Sequence, residues 1–245
     1  MEELEKTRKI VKTSFFIAVV TVAVLFVFPY DMKPEEWGIY ANSYFITTLG
    51  LTAGGAAIGI LLGMLLAFLK FQKTNIEILD MIKDVIIDEY VDIMRGTPMV
   101  LQLLTLSFVV VILNNYWIAL IALGLNSAAY VEETIRSGIE SIDKGQMEAA
   151  RATGMPYRMA MNEIVMPQAI KNILPALLNE FINLFKETAV VGYISVVDIT
   201  MNSKSLQAVY YSVKPILFTG LVYYISVKLF SFIGKRLEMR LKEND

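Results

Sequence analysis

Six stretches of the chain are almost continuously apolar: Ser14–Phe28, Tyr44–Leu69, Met99–Leu113, Trp117–Leu125, Ile173–Val191 and Pro215–Ile233. About 20 such residues carry a helix across a bilayer core, so the shorter stretches must recruit polar neighbours at their ends. Lipid offers the backbone no hydrogen-bond partners, and runs of this length meet that demand as helices. The pattern therefore predicts an all-α integral membrane protein with about six transmembrane helices.

Other periodicities refine this outline. Within the second stretch Gly55, Gly59 and Gly63 recur every four residues and bare one helix face. Such a stripe lets two helices approach closely, either inside one subunit or across a seam between two. Between Asn75 and Arg95, Asp80, Asp84 and Asp88 also recur every four residues, while Ile78, Met81, Ile82, Val85 and Ile86 supply apolar contacts. This reads as an amphipathic helix at the membrane surface that leads into the third span. Gly96-Thr97-Pro98 interrupts it, and Pro98 suits the first turn of a new helix. The connection at about 137–171 is too polar to span. Gly145, Gly154 and Pro156 divide it into short helices, one over Gln146–Thr153 and another over Tyr157–Val165. Its Met and Ala side chains need a cover, from a soluble partner or from the protein's own helix ends.

Charge assigns sides. With the N-terminus inside, 18 of the 22 Lys and Arg fall in inside segments, three outside, and Lys186 lies within a span. The inside set includes Lys6, Arg8, Lys9 and Lys12 at the start, Arg95 before the third span, and Lys228, Lys235, Arg236, Arg240 and Lys242 at the end. That bias places both termini in the cytoplasm. The first apolar stretch could also be a signal peptide. Phe28-Pro29-Tyr30-Asp31 offers no small-residue cleavage site, which favours a retained helix.

Composition agrees: 56% of residues are hydrophobic and 19% charged, with a mean hydropathy of +0.54. The absence of Cys and His excludes disulfides, thiol nucleophiles, Cys/His metal sites and His-based acid–base catalysis. No catalytic or metal-ligating set emerges, and a net charge of −2 offers no basic field for nucleic acid.

Two spans carry polar groups that a passive anchor would avoid. In the fourth, Asn126, Tyr130, Glu133 and Ser137 share one helix face, and Glu132 and Arg136 can pair at i, i+4. In the fifth come Asn179, Glu180, Asn183, Lys186, Glu187 and Thr188. Each ionised group near the bilayer centre costs roughly 2.5–3.5 kcal/mol on insertion scales, so such residues face a cavity or a partner. Both signs beside hydroxyls and amides suit an amino acid zwitterion. Lys186 would grip its carboxylate, and Glu133, Glu180 or Glu187 its ammonium. Alternatively, Lys186 neutralises one of those acids and holds the bundle together.

Glu148-Ala149-Ala150, then Gly154, then Ile164-Val165-Met166-Pro167 resembles the EAA motif of ABC importer permeases, with Met166 where Leu is usual. Arg95-Gly96-Thr97-Pro98, Leu125–Tyr130, Lys144-Gly145-Gln146, Pro167-Gln168-Ala169, Asn179–Ile182 and Lys186-Glu187-Thr188 are similar to the polar amino acid branch of that family. The resemblance implies a five-helix permease core over 44–245, preceded at 1–43 by a cytoplasmic N-terminus, an extra helix and an external loop. It implies a multi-pass subunit of the bacterial cytoplasmic (inner) membrane that moves a polar amino acid by alternating access. Its partners would be ABC ATPase subunits, an extracytoplasmic amino-acid-binding protein, a second permease subunit and membrane lipid. Glu148, Ala149, Ala150, Gly154, Ile164 and Pro167 would couple to the ATPase. Asn126, Tyr130, Glu133, Glu180, Lys186, Glu187 and Thr188 are the substrate-site candidates. The chain has no Gly-x-x-x-x-Gly-Lys-Ser/Thr stretch, so ATP and Mg would bind the partner and this pore subunit would hold no cofactor and be no enzyme. Alternatives are an ABC importer for another small solute, or a secondary transporter. The latter predicts paired discontinuous helices in two repeats, and no such pair is visible.

Overall fold

A computed structural model describes residues 2–74 and 76–243. Asn75, where the amphipathic segment was expected to begin, lies outside the described residues, as do the side chains of Lys9 and Lys242. The described chain is helical almost throughout: α1 (Glu2–Val27), α2 (Pro34–Asn42), α3 (Leu49–Phe71), α4 (Glu77–Gly96), α5 (Met99–Val109), α6 (Asn115–Glu140), α7 (Lys144–Ala152), α8 (Tyr157–Ala160), α9 (Met166–Glu187), α10 (Ile199–Tyr210) and α11 (Lys214–Glu243). Wide turns at Ser43–Thr48 and Met161–Val165 join α2 to α3 and α8 to α9 without a break. A tight turn over Thr188–Ile194 extends α9. Four helical runs are long and apolar enough to cross a membrane: Lys6–Val27, Pro34–Phe71, Asn115–Glu140 and Lys214–Arg240.

The expected spans are all helical, but two differ instructively. The second begins earlier than expected, because most of the supposed external loop is α2. The third is only α5, 11 residues. At 1.5 Å per residue that is about 16 Å, half of a hydrocarbon core about 30 Å thick. The missing half comes from α4. This helix does not stop at the surface, because Tyr90 Oη donates to Leu125 O at 2.6 Å. Asn126 Nδ2 likewise donates to Met94 O at 3.1 Å. Both acceptor and donor lie near the midpoint of α6, so α4 enters the bundle and α5 completes the crossing.

The main interface joins α3 to α6, and the glycine stripe makes it close. A Cβ added at Gly59 would sit 2.7 Å from Ser127 Cβ, and one at Gly63 would sit 2.8 Å from Ala128 O. The stripe is thus an intrasubunit seam, and it seals a core of Leu51, Leu103, Leu123, Leu184, Val191 and Ile194.

The aspartate stripe of α4 also has a local purpose. It faces the end of α3, where Lys73 Nζ meets Asp84 Oδ2 at 2.7 Å and Lys70 pairs with Asp88, while Asp80 meets Lys83 of α4 itself at 3.3 Å. The hydrogen bond from Lys73 to Asp84 holds the lysine above its ordinary pKa. At the opposite end a buried hydroxyl layer fixes α10: Tyr40 Oη and Thr219 Oγ1 lie 2.6 Å apart, and Asn202 Nδ2 donates to Ser43 Oγ at 2.9 Å. Asp198 caps α10 by accepting from Met201 N at 2.8 Å and Thr200 N at 3.0 Å. Its burial pushes the carboxyl upward in pKa despite those bonds.

Candidate functional site

The break between α4 and α5 exposes carbonyls at mid-bundle, where each unsatisfied group is costly. Side chains answer them. Thr97 Oγ1 donates to Ile93 O at 2.8 Å, and Gln102 Nε2 donates to Met94 O at 2.7 Å and Thr97 O at 3.0 Å. Asn126 adds its bond to Met94 O and another to Gln102 Oε1 at 3.0 Å. The amide nitrogen of Asn126, a substrate candidate, is therefore occupied in holding the break, while its buried Oδ1 has no hydrogen-bond partner among the described residues.

Directly beside the break, Arg95 Nη1 meets Glu133 Oε2 at 2.6 Å, and its guanidinium lies 5.5 Å from the centre of the Tyr130 ring. Arg136 reaches Glu133 at 3.9 Å, Glu132 at 3.6 Å and Glu140 at 3.4 Å. The shared face expected for Asn126, Tyr130 and Glu133 is realised, and it looks onto the end of α4. Ser137 bonds only within α6, to Thr134 O at 3.3 Å.

On α9, Glu180 is buried and accepts from Ser127 Oγ at 3.2 Å. Glu187 follows two helical turns later on the same face. Both carboxylates lie within electrostatic reach of the Tyr130 hydroxyl, together with Arg95 and Glu133. The structure thus gathers Tyr130, Glu133, Glu180 and Glu187 into one acid-rich locus, whose two arginines, Arg95 and Arg136, both engage Glu133. Thr188 is buried, and its hydroxyl bonds back to Phe185 O at 2.8 Å.

Lys186 points away from Glu180 but lies within electrostatic reach of Glu187. Six residues after Glu180 corresponds to about 120° around the helix, and the exposed lysine lines a different hollow of about 370 Å³ with Ala189, Tyr223, Tyr224 and Val227. A larger cavity of about 480 Å³ opens at the α2 and α10 end, lined by Asn42, Ser43, Asn115, Tyr116 and Ser195 among others. It contains none of the candidates.

The polar loop folds as two short helices. Asp143 Oδ1 caps α7 through Gly145 N at 2.8 Å. Gly154, at φ 90°, ends the turn so that Met155 N reaches Ala150 O at 3.2 Å. Positive φ at this point requires glycine. Ala150, Ala160 and Val165 are buried within the loop, whereas Glu148, Ala149, Gly154, Tyr157, Met159 and Pro167 remain exposed and Ile164 is half-buried. The loop's own residues therefore cover one side of it and leave a knuckle uncovered.

A family model described as the binding-protein-dependent transport system inner membrane component matches residues 59–243. The chain belongs to that family. This permease is 43% identical over 204 residues to the arginine transport system permease protein ArtQ of Bacillus subtilis, covering 81% of this chain and 90% of that protein. It is 37% identical over 221 residues to a Rickettsia bellii protein named as the glutamine transport system permease GlnP, covering 87% and 98%. Among solved structures, an amino acid ABC transporter with histidines matches at a TM-score of 0.75 and 36% identity, over 84% of this permease and 95% of that chain. The methionine ABC transporter MetNI, at 18% identity and a TM-score of 0.71, shares the fold. Membership favours the ABC importer reading over a secondary transporter.

Arg95, Gln102 and Ser127 are the site residues that sequence reasoning missed. Arg95 entered as an inside charge and as part of the Arg-Gly-Thr-Pro stretch, which was the available signal, but not as a site residue. Gln102 and Ser127 are ordinary polar residues in apolar runs, and only the packing gives them roles.

Proposed function

We propose that this permease moves a polar amino acid inward, its ammonium or basic side chain received by Glu180 and Glu187 beside Tyr130. The observation that carries this reading is Glu180, a buried carboxyl that accepts from Ser127 and has Glu187 two turns away, while Arg95 and Arg136 are already engaged by Glu133. A cation entering there relieves carboxylate repulsion, whereas an acidic side chain would add to it. The substrate carboxylate is received by Tyr130 Oη and by Arg95 once that guanidinium leaves Glu133. Lys186 faces another side and serves the partner permease or the lipid boundary.

Both termini lie in the cytoplasm, and the exposed knuckle around Glu148–Gly154 docks on a separate ABC ATPase that holds ATP and Mg. An external binding protein delivers the amino acid at the α2 and α10 end. ATP shifts the pathway between inward- and outward-open states only through differential contacts in the two, and the knuckle supplies them. The test is radiolabelled uptake by the reconstituted transporter. Arginine should compete more strongly than glutamine, and Glu180→Gln with Glu187→Gln should cut arginine uptake at least tenfold without loss of assembly. Uptake unchanged in both variants would remove these acids from the pathway.

A further inference from the structure

The family match begins at residue 59, so α1 is an addition to the matched core. It touches the bundle mainly along α11. Its half-buried residues are Phe16, Val20, Ala23, Val24 and Val27, one helical stripe. Phe16 lies 5.8 Å from the Tyr224 ring, and Phe28, just past the helix, lies 5.4 Å from Phe218. The two helices therefore run antiparallel. Before Phe16 every described side chain of α1 is exposed, so the contact ends there and a notch opens between α1 and α11.

The walls of that notch follow from helical spacing. One turn beyond Phe16 comes Lys12, and one turn beyond Tyr224 comes Lys228, at matching depth. A further turn brings Arg8 on α1. Lys228 lies 5.5 Å from the Tyr224 ring centre, so an aromatic face flanks that cation. None of Arg8, Lys12 and Lys228 makes an ion pair among the described residues. The contrast is with the α3–α4 elbow, where Lys70, Lys73 and Lys83 each meet an aspartate. Three cations that helical spacing gathers at the edge of an apolar notch repel unless an anion lies between them.

We propose that this notch binds an anionic phospholipid, its phosphate among Lys12, Arg8 and Lys228 and an acyl chain beside Phe16 and Tyr224. The lipid belongs to the cytoplasmic leaflet, which rests on the orientation proposed above. Its headgroup bridges the two helices and fixes the added helix to the core at the end where side-chain packing is lacking.

The intact transporter, stripped of lipid and titrated with phosphatidylglycerol or phosphatidylcholine of matched chains, tests this by native mass spectrometry. The wild type should retain phosphatidylglycerol preferentially. Lys12→Gln with Lys228→Gln should weaken that retention about 30-fold, from roughly fivefold per cation removed, while Lys70→Gln leaves it unchanged. Equal retention of the two lipids, an undiminished preference in the double variant, or full displacement by soluble glycerol phosphate would overturn the proposal. Orientation is read separately. The chain has no native cysteine, so Leu4→Cys should react with an impermeant maleimide only from the cytoplasmic side. Reaction from outside would overturn the leaflet assignment, whatever the lipid titration returns.

Discussion

Gly59→Ala is the smallest change that reaches both the helix seam and the acid locus. The added Cβ would stand 2.6 Å from Ser127 Oγ, 2.7 Å from Ser127 Cβ and 3.3 Å from the Ser127 carbonyl carbon. A hydroxyl can rotate away, but a Cβ cannot, so α6 must retreat by about 0.7 Å to reach ordinary contact at 3.4 Å. Overpacking of this kind costs about 1–3 kcal/mol. Alanine recovers about 1 kcal/mol of helix propensity over glycine, which leaves a net loss of up to about 2 kcal/mol. The retreat also draws Ser127 Oγ off Glu180 and strains the neighbouring bond from Asn126 to Met94 O. Thermal unfolding and uptake of the reconstituted transporter should therefore both fall. Gly55→Ala is the internal control, because its Cβ would meet Leu123 Cβ at 3.3 Å and Leu184 Cδ2 at 3.4 Å. That variant should unfold within a degree or two of wild type. Wild-type stability and uptake in Gly59→Ala would show that the seam is looser than described and that Ser127 does not position Glu180.

Further outcomes test other parts of the structure. Gln102→Leu leaves Thr97 O without its donor and should cost about 1–3 kcal/mol, seen as a lower midpoint in denaturant titration; an unchanged midpoint would mean that water serves the break. Gly154→Asp forces a non-glycine residue to a φ of 90°, a local strain of about 1–3 kcal/mol. It should weaken copurification of the ATPase while the unfolding of the membrane bundle stays put. Asp198→Ala removes both acceptors that cap α10 and should cost about 0.5–2 kcal/mol, with faster hydrogen exchange at Thr200 and Met201.

Much of this architecture is legible in the sequence because the bilayer imposes long apolar runs and glycine imposes turns. Gly154 ends α7 as its position in the chain implies, and the Gly55, Gly59 and Gly63 stripe marks a close seam. Its partner, α6 of the same subunit, is not legible, since a bare face fits any neighbour. The depth of α4 is also hidden. An amphipathic pattern reads alike on a membrane surface and against a polar-lined helix, and only Tyr90 and Met94 reaching mid-α6 tell them apart. Asp84 and Asp88 give no hint of Lys73 and Lys70, because that pairing depends on how tightly α3 turns into α4, whereas Asp80 and Lys83 are three apart on one helix and spacing allows their contact. Lys186 is different: its angle from Glu180 follows from spacing alone, and helical arithmetic separates it from the acid face before any coordinates do.

The most direct measurement is amino acid uptake into proteoliposomes containing this permease and its binding protein, with and without the ATPase subunit and with ATP or a non-hydrolysable analogue. Accumulation against a gradient should appear only with the ATPase and hydrolysable ATP, and should vanish in Gly154→Asp. Equal accumulation in vesicles lacking the ATPase would contradict the account, since the exposed knuckle would then have no motor to obey.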